Sequence, residues 1–145
     1  MTNYVSVTNC KKNLMKTWFI GAFIIFLLII GQSIFGRYSE RIAEAWGWFL
    51  PTVMPTLSLM IGVSLADRFG VSSKREKKID PFMYKLALCL SFAYLSVVLA
   101  TILLLPYSPM PPLEHLDVSN LWLAPIQGLV AGALGAFFVK VEQAE

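Results

Sequence analysis

The chain is 145 residues long, 57% hydrophobic and 14% charged, with a formal net charge of +3 and a mean hydropathy of +0.65. A soluble domain averages about 45–50% apolar and about 25% charged residues, and one soluble core of this size cannot bury so much apolar surface. Those figures exclude a soluble globular domain and a disordered chain, and two cysteines exclude a disulfide-stapled scaffold.

A spanning helix needs about 20 mostly apolar residues, because the hydrocarbon layer is about 30 Å thick and a helix rises about 1.5 Å per residue. Four stretches meet that length: residues 17–36, 46–66, 84–105 and 121–139. The expectation is an all-α polytopic membrane protein, a single membrane domain over 1–145 with four transmembrane helices in two antiparallel hairpins. Span one carries the apolar block Phe19 to Ile30, and its large side chains from Phe23 to Ile30 are expected to face lipid. A basic flank before it and Gly31 and Ser33 after it also suit a signal peptide. The block is long for that role, so it is read as a retained span. Residues 36–44 then form a short polar turn.

Span two holds Pro51 and Pro55. Proline has no N–H, so these two would free the carbonyls of Gly47 and Pro51, and in lipid a freed carbonyl must find a partner. Thr52, Thr56 and Ser58 are the expected donors. Two readings stay open: a kinked vestibule with exposed carbonyls, or a helix whose ordered part begins near Pro51, where proline suits a first turn.

The loop over 67–83 is the basic one, with Lys74, Arg75, Lys77 and Lys78 clustered beside the membrane. Each such charge near anionic lipid contributes about 1 kcal/mol, so lipid or an acidic partner is expected there. At its start, Leu65 to Gly70 resembles the inner-loop motif of major facilitator transporters over six residues. The upstream Gly is displaced to Gly62, Val71 stands where that motif has a basic residue, and four spans replace the usual twelve. The segment is read as a helix end.

Residues 106–120 are expected to be an outer Pro-rich loop, because Pro106, Pro109, Pro111 and Pro112 favour extended geometry. Glu114, His115 and Asp117 lie in it without the second His or the ligand spacing of a zinc site, so no metal is assigned. In span four, Ala124, Gly128, Gly132 and Ala136 recur every four residues, a spacing that lets another helix approach closely, within one subunit or between subunits. Gln127 is the strongest polar group in that span. Trp48 with Pro51 and Trp122 with Pro125 share one spacing, which suggests a weak repeat of the two hairpins.

Lysine and arginine accumulate on the cytoplasmic side. Placing both termini and the 67–83 loop inside, with Lys85 at the inner start of span three, puts ten of the twelve basic residues on that side. Trp18, Trp46, Trp48 and Trp122 then fall near span ends, where membrane interfaces favour them. Cys10 and Cys89 are singletons, and Cys89 is read as a small buried hydrophobe.

Beyond Lys85 at the start of span three, no span holds an ionisable residue. Proton-coupled carriers keep such groups inside the bilayer. Small multidrug exporters resemble this chain in size, yet they depend on a glutamate in a first span that here has none. The expectation is therefore a non-enzymatic, self-associating protein of an inner or plasma membrane, with both termini cytoplasmic and a neutral-lined pore built on Pro51, Thr52, Pro55, Thr56, Ser58 and Gln127. A membrane anchor for a larger complex is the second reading, and a small intramembrane enzyme on a hydrophobic substrate the third. No catalytic residue, cofactor or metal is assigned. Membrane lipids, further copies of the chain or a partner subunit are the expected contacts, and nucleic acid is not among them.

Overall fold

The computed structural model describes the backbone of residues 5–69, 78, 79 and 81–143, and the side chains of residues 8–65 and 81–138. The described part is helical apart from a two-residue ladder in which β1 (Val5–Ser6) pairs antiparallel with β2 (Lys78–Ile79). Four long helices follow: α1 (Val7–Ile34), α2 (Ile42–Phe69), α3 (Pro81–Leu104) and α4 (Pro112–Gln143). A 3-10 turn over Leu105–Tyr107 closes α3. Each helix is long and apolar enough to cross a bilayer, and four such helices make this an integral membrane protein.

All four helices extend beyond the segments that hydropathy marks. Helix α1 begins ten residues early, and α4 begins at Pro112, within the stretch expected to be an extended loop. Proline stiffens a chain only from outside a helix. At the first helical position its missing N–H is one that no helix uses, so Pro112 opens α4. Helix α2 is continuous through Pro51 and Pro55, which overturns an ordered start near Pro51.

Helix α1 stops at a Schellman cap. Gly36 sits at φ +70°, Gly36 N donates to Ser33 O at 3.1 Å, and Arg37 N donates to Gln32 O at 3.0 Å. Only glycine takes that left-handed geometry without strain. The turn then folds Tyr38 inward, where its hydroxyl donates to Gln32 Oε1 at 2.5 Å. Burial pushes the Tyr38 phenol up to about 12, against the opposing pull of Arg37.

Around the bundle the helices run α1, α3, α4, α2, with α3 against α4 the most extensive contact. Asn13 meets Tyr84 near the starts of α1 and α3, and Gln32 meets Ile102 near their ends, so these two helices run in the same direction. Trp48 with Ser119 and Thr52 with Gln127 give α2 and α4 a shared direction too.

The core follows helical spacing. Cys10, Leu14, Trp18, Ala22, Ile25 and Ile29 of α1 point inward, while Phe23, Ile24 and Leu27 face out. The 23–30 block thus faces lipid only in part. Trp18 is fully buried 5.8 Å from the Tyr94 ring, so its side chain packs into the bundle and not against lipid. Trp48 is buried as well. Cys89, read as a buried hydrophobe, is exposed, and Cys10 is buried.

Candidate functional site

The polar chemistry of the bundle gathers where α2 carries its prolines. Pro55 cannot donate to the carbonyl of Pro51, so that oxygen lacks its helical partner. Gln127 of α4 supplies one, its Nε2 lying 3.2 Å from Pro51 O and 3.3 Å from Thr52 O. Tyr94 of α3, fully buried, donates its hydroxyl to the same Thr52 O at 2.9 Å. Thr52 Oγ1 in turn donates to Trp48 O at 2.6 Å. One turn of α2 is thereby tied to both α3 and α4.

A second tie lies one turn nearer the α2 start. Trp48 Nε1 donates to Ser119 Oγ at 3.1 Å, and Ser119 donates onward to Leu116 O at 2.5 Å. Trp18 Nε1 and Ser91 Oγ, also buried, have no hydrogen-bond partner among the described residues. Among the described residues, no carboxylate, amine or imidazole enters this polar seam, whose contacts are hydroxyls, an amide, an indole and carbonyls. Its chemistry is to hold helices in register and to offer neutral dipoles.

The six residues expected to share a pore lining do not share one side. Thr52 and Thr56 are buried, Gln127 is half-buried, and Pro51, Pro55 and Ser58 are exposed. The expected threonine and serine donors do not reach the freed Pro51 carbonyl; Gln127 does. A hydroxyl on the same helix reaches back to the carbonyl four residues before it, as Thr52 does to Trp48 O, and the residue four after Pro51 is Pro55 itself.

Ala124, Gly128, Gly132 and Ala136 are all exposed. A side-chain carbon built at Gly128 or Gly132 would meet nothing within 4 Å. The stripe is therefore not used for packing within the described bundle. Of the basic cluster, Lys74, Arg75 and Lys77 lie outside the described residues, as does the side chain of Lys78. The backbone of residues 65–69 forms the end of α2, while Gly70 and the side chains of residues 66–69 lie outside the described residues.

Glu114, His115 and Asp117 stand on the first turns of α4 rather than in a loop, with His115 Nδ1 3.1 Å from Ser108 Oγ. Among the described residues, no three His, Cys, Asp or Glu side chains converge on a point. Tyr94 and Ser119 are the functional partners that sequence reading misses. Tyr94 did carry a signal, as the lone tyrosine far from any span end. Ser119 carried none, because its segment reads as a loop. No protein-family model, curated protein or solved structure matches the chain.

Proposed function

We propose that the protein is a non-enzymatic membrane component that self-associates through the α2–α4 side of its bundle, forming a neutral-lined passage between subunits. The observation that carries this reading is the exposed stripe Ala124, Gly128, Gly132 and Ala136, with open space at both glycines. Without a hydrophobic drive between helices in lipid, close backbone approach at small residues is a main source of association. A passage through one subunit is disfavoured, since Trp18, Val53, Met60, Tyr94 and Val130 fill the interior. Pro51, Pro55 and Ser58, exposed on α2 beside α4, would instead meet their counterparts across the interface.

The charge distribution supports both termini and the basic loop on the cytoplasmic face of an inner or plasma membrane. In that arrangement α1–α2 and α3–α4 are two hairpins entering from the same side. Anionic lipid is the expected neighbour of Lys74, Arg75, Lys77 and Lys78.

The test is mass in detergent and solute flux in liposomes, for wild type and Gly132→Leu. Oligomeric wild type with measurable flux, and a monomeric, non-conducting variant, is the expected result. Background flux in both removes the passage. Wild type that is monomeric yet co-purifies a second membrane chain would make the same face an anchor for that chain instead.

A further inference from the structure

On the opposite side of the bundle, α1 and α3 leave a groove of about 570 Å³ between them. Its α1 wall repeats at helical spacing from Asn13 through Ile20 to Ile25, and its α3 wall from Tyr84 through Leu88 to Leu99. Gly21 sets its depth. A Cβ there would fall 2.7 Å from Leu95 Cδ1, so the missing side chain lets α3 come close at the floor while Ile20 and Phe92 stand out as rims, 60% and 66% exposed.

The groove has two chemically distinct ends. At the starts of α1 and α3, Asn13 Nδ2 lies 3.4 Å from the Tyr84 hydroxyl, Thr17 Oγ1 donates to Asn13 O, and the Lys16 ammonium is exposed beside them. Everything beyond Thr17 is apolar except Ser96. From Leu88 to Leu99 the helix rises about 16 Å. That matches one leaflet of hydrocarbon, about 15 Å deep.

We propose that this groove is a binding site for one anionic phospholipid, with an acyl chain along Ile20, Leu88 and Leu95 and the phosphate at Lys16, Asn13 and Tyr84. The length match selects a chain anchored at one interface over a short apolar molecule. Among the described residues that line the groove, Lys16 is the one cation, amide and hydroxyl groups stand next to it, and none is a carboxylate; that set selects an anionic head. The site rests on the chain spanning a bilayer, and it is independent of association through the α2–α4 face.

Native mass spectrometry of the full chain, titrated separately with phosphatidylglycerol and phosphatidylcholine in detergent, reads the site directly. One phosphatidylglycerol retained per subunit, in preference to phosphatidylcholine, is expected. Lys16→Gln should weaken phosphatidylglycerol about fivefold, one interfacial lysine's worth, and abolish the preference. Ile20→Trp, which changes no charge and fills the groove from an exposed rim, should lose the bound lipid of either class while keeping helical content and elution volume. Arg37→Gln, at the other end of the bundle, should change nothing, and glycerol 3-phosphate should not displace the lipid. Retention unaffected by Ile20→Trp, or equal losses in Lys16→Gln and Arg37→Gln, would overturn the site in favour of diffuse surface charge. Extraction of the wild-type chain from membranes by alkaline wash would instead remove the bilayer reading on which the site stands.

Discussion

Replacing Gln127 with leucine removes two interhelical donations, to Pro51 O and to Thr52 O. The two acceptors are not equivalent. Thr52 O keeps the Tyr94 hydroxyl at 2.9 Å, whereas Pro51 O faces a proline ring one turn on and loses the amide that served it. Interhelical hydrogen bonds in membrane proteins average about 0.6 kcal/mol and reach about 1.7, while a lipid-facing carbonyl left unpaired, with no water to take the amide's place, costs about 1–3. Gln127→Leu should therefore destabilise the bundle by about 1–2 kcal/mol, most of it at Pro51. The decisive arm is Pro55→Ala, which restores a backbone N–H aimed at Pro51 O. In that background Gln127→Leu should cost only about 0.5 kcal/mol, leaving a coupling near 1 kcal/mol in the double-mutant cycle. Reversible unfolding in mixed micelles measures all four variants. An identical cost of Gln127→Leu in both backgrounds would refute the assignment of Gln127 as the donor that the proline requires.

Gly21→Ala should destabilise by about 1 kcal/mol, because its Cβ runs into the flexible end of Leu95; Gly31→Ala, with open space, should be neutral or slightly stabilising in the same assay. Tyr38 titrates at about 12 in the folded chain against about 10 when unfolded. The folded state thus holds the proton more tightly, and the stability this contributes is intact below pH 10 and lost as pH rises towards 12. Tyr38→Phe should flatten that alkaline loss, read as helical content against pH; an unchanged profile would place the titrating group elsewhere. Single-cysteine variants should differ in the folded protein: a bilayer-partitioning pyrene maleimide labels Cys89, and it labels Cys10 only after unfolding. Equal labelling before unfolding would contradict the packing of Cys10 beneath the α1 start.

Four spans were legible because apolar length is a local property. Their starts were not. Val7 to Lys16 is polar enough to read as a tail, yet Cys10 and Leu14 continue the inward seam of Trp18 and Ala22. Seeing that requires the 3.6-residue spacing to be followed past the end of the hydropathy signal. The burial of Trp18 was not legible either, since a tryptophan next to an apolar run suits an interface and a core equally well. Prolines misled in the 106–120 segment because their effect depends on position: three of them do lie outside α4, and Pro112 begins it. Pro51, Pro55, Thr52 and Gln127 were legible as a polar group, but their pairing was not. Which helix lies across from a freed carbonyl is a tertiary fact, and Tyr94 and Ser119 could be joined to α2 only once α3 and α4 were in place.

The distribution of polar groups also explains why the two sides of the bundle differ. Lipid tails are as apolar as leucine, so burying Leu14 or Ile29 does little to choose one helix register over another. Register must come from directional contacts. Asn13 with Tyr84 and Gln32 with Ile102 O fix α1 against α3 at both ends. Trp48 with Ser119, and Gln127 with Pro51 O, fix α2 against α4. Tyr94 joins the two pairs through Thr52 O. Each pair is therefore held by contacts near its ends or its prolines, which leaves its outer surface free to vary. On α1–α3 that surface is a groove floored by Gly21 with a lysine at one end, a shape suited to a lipid. On α2–α4 it is a row of small residues, suited to another helix. Filling the first with Ile20→Trp and the second with Gly132→Leu should have separable effects, lipid retention in one case and subunit mass in the other. That separation is what independent register for the two pairs requires.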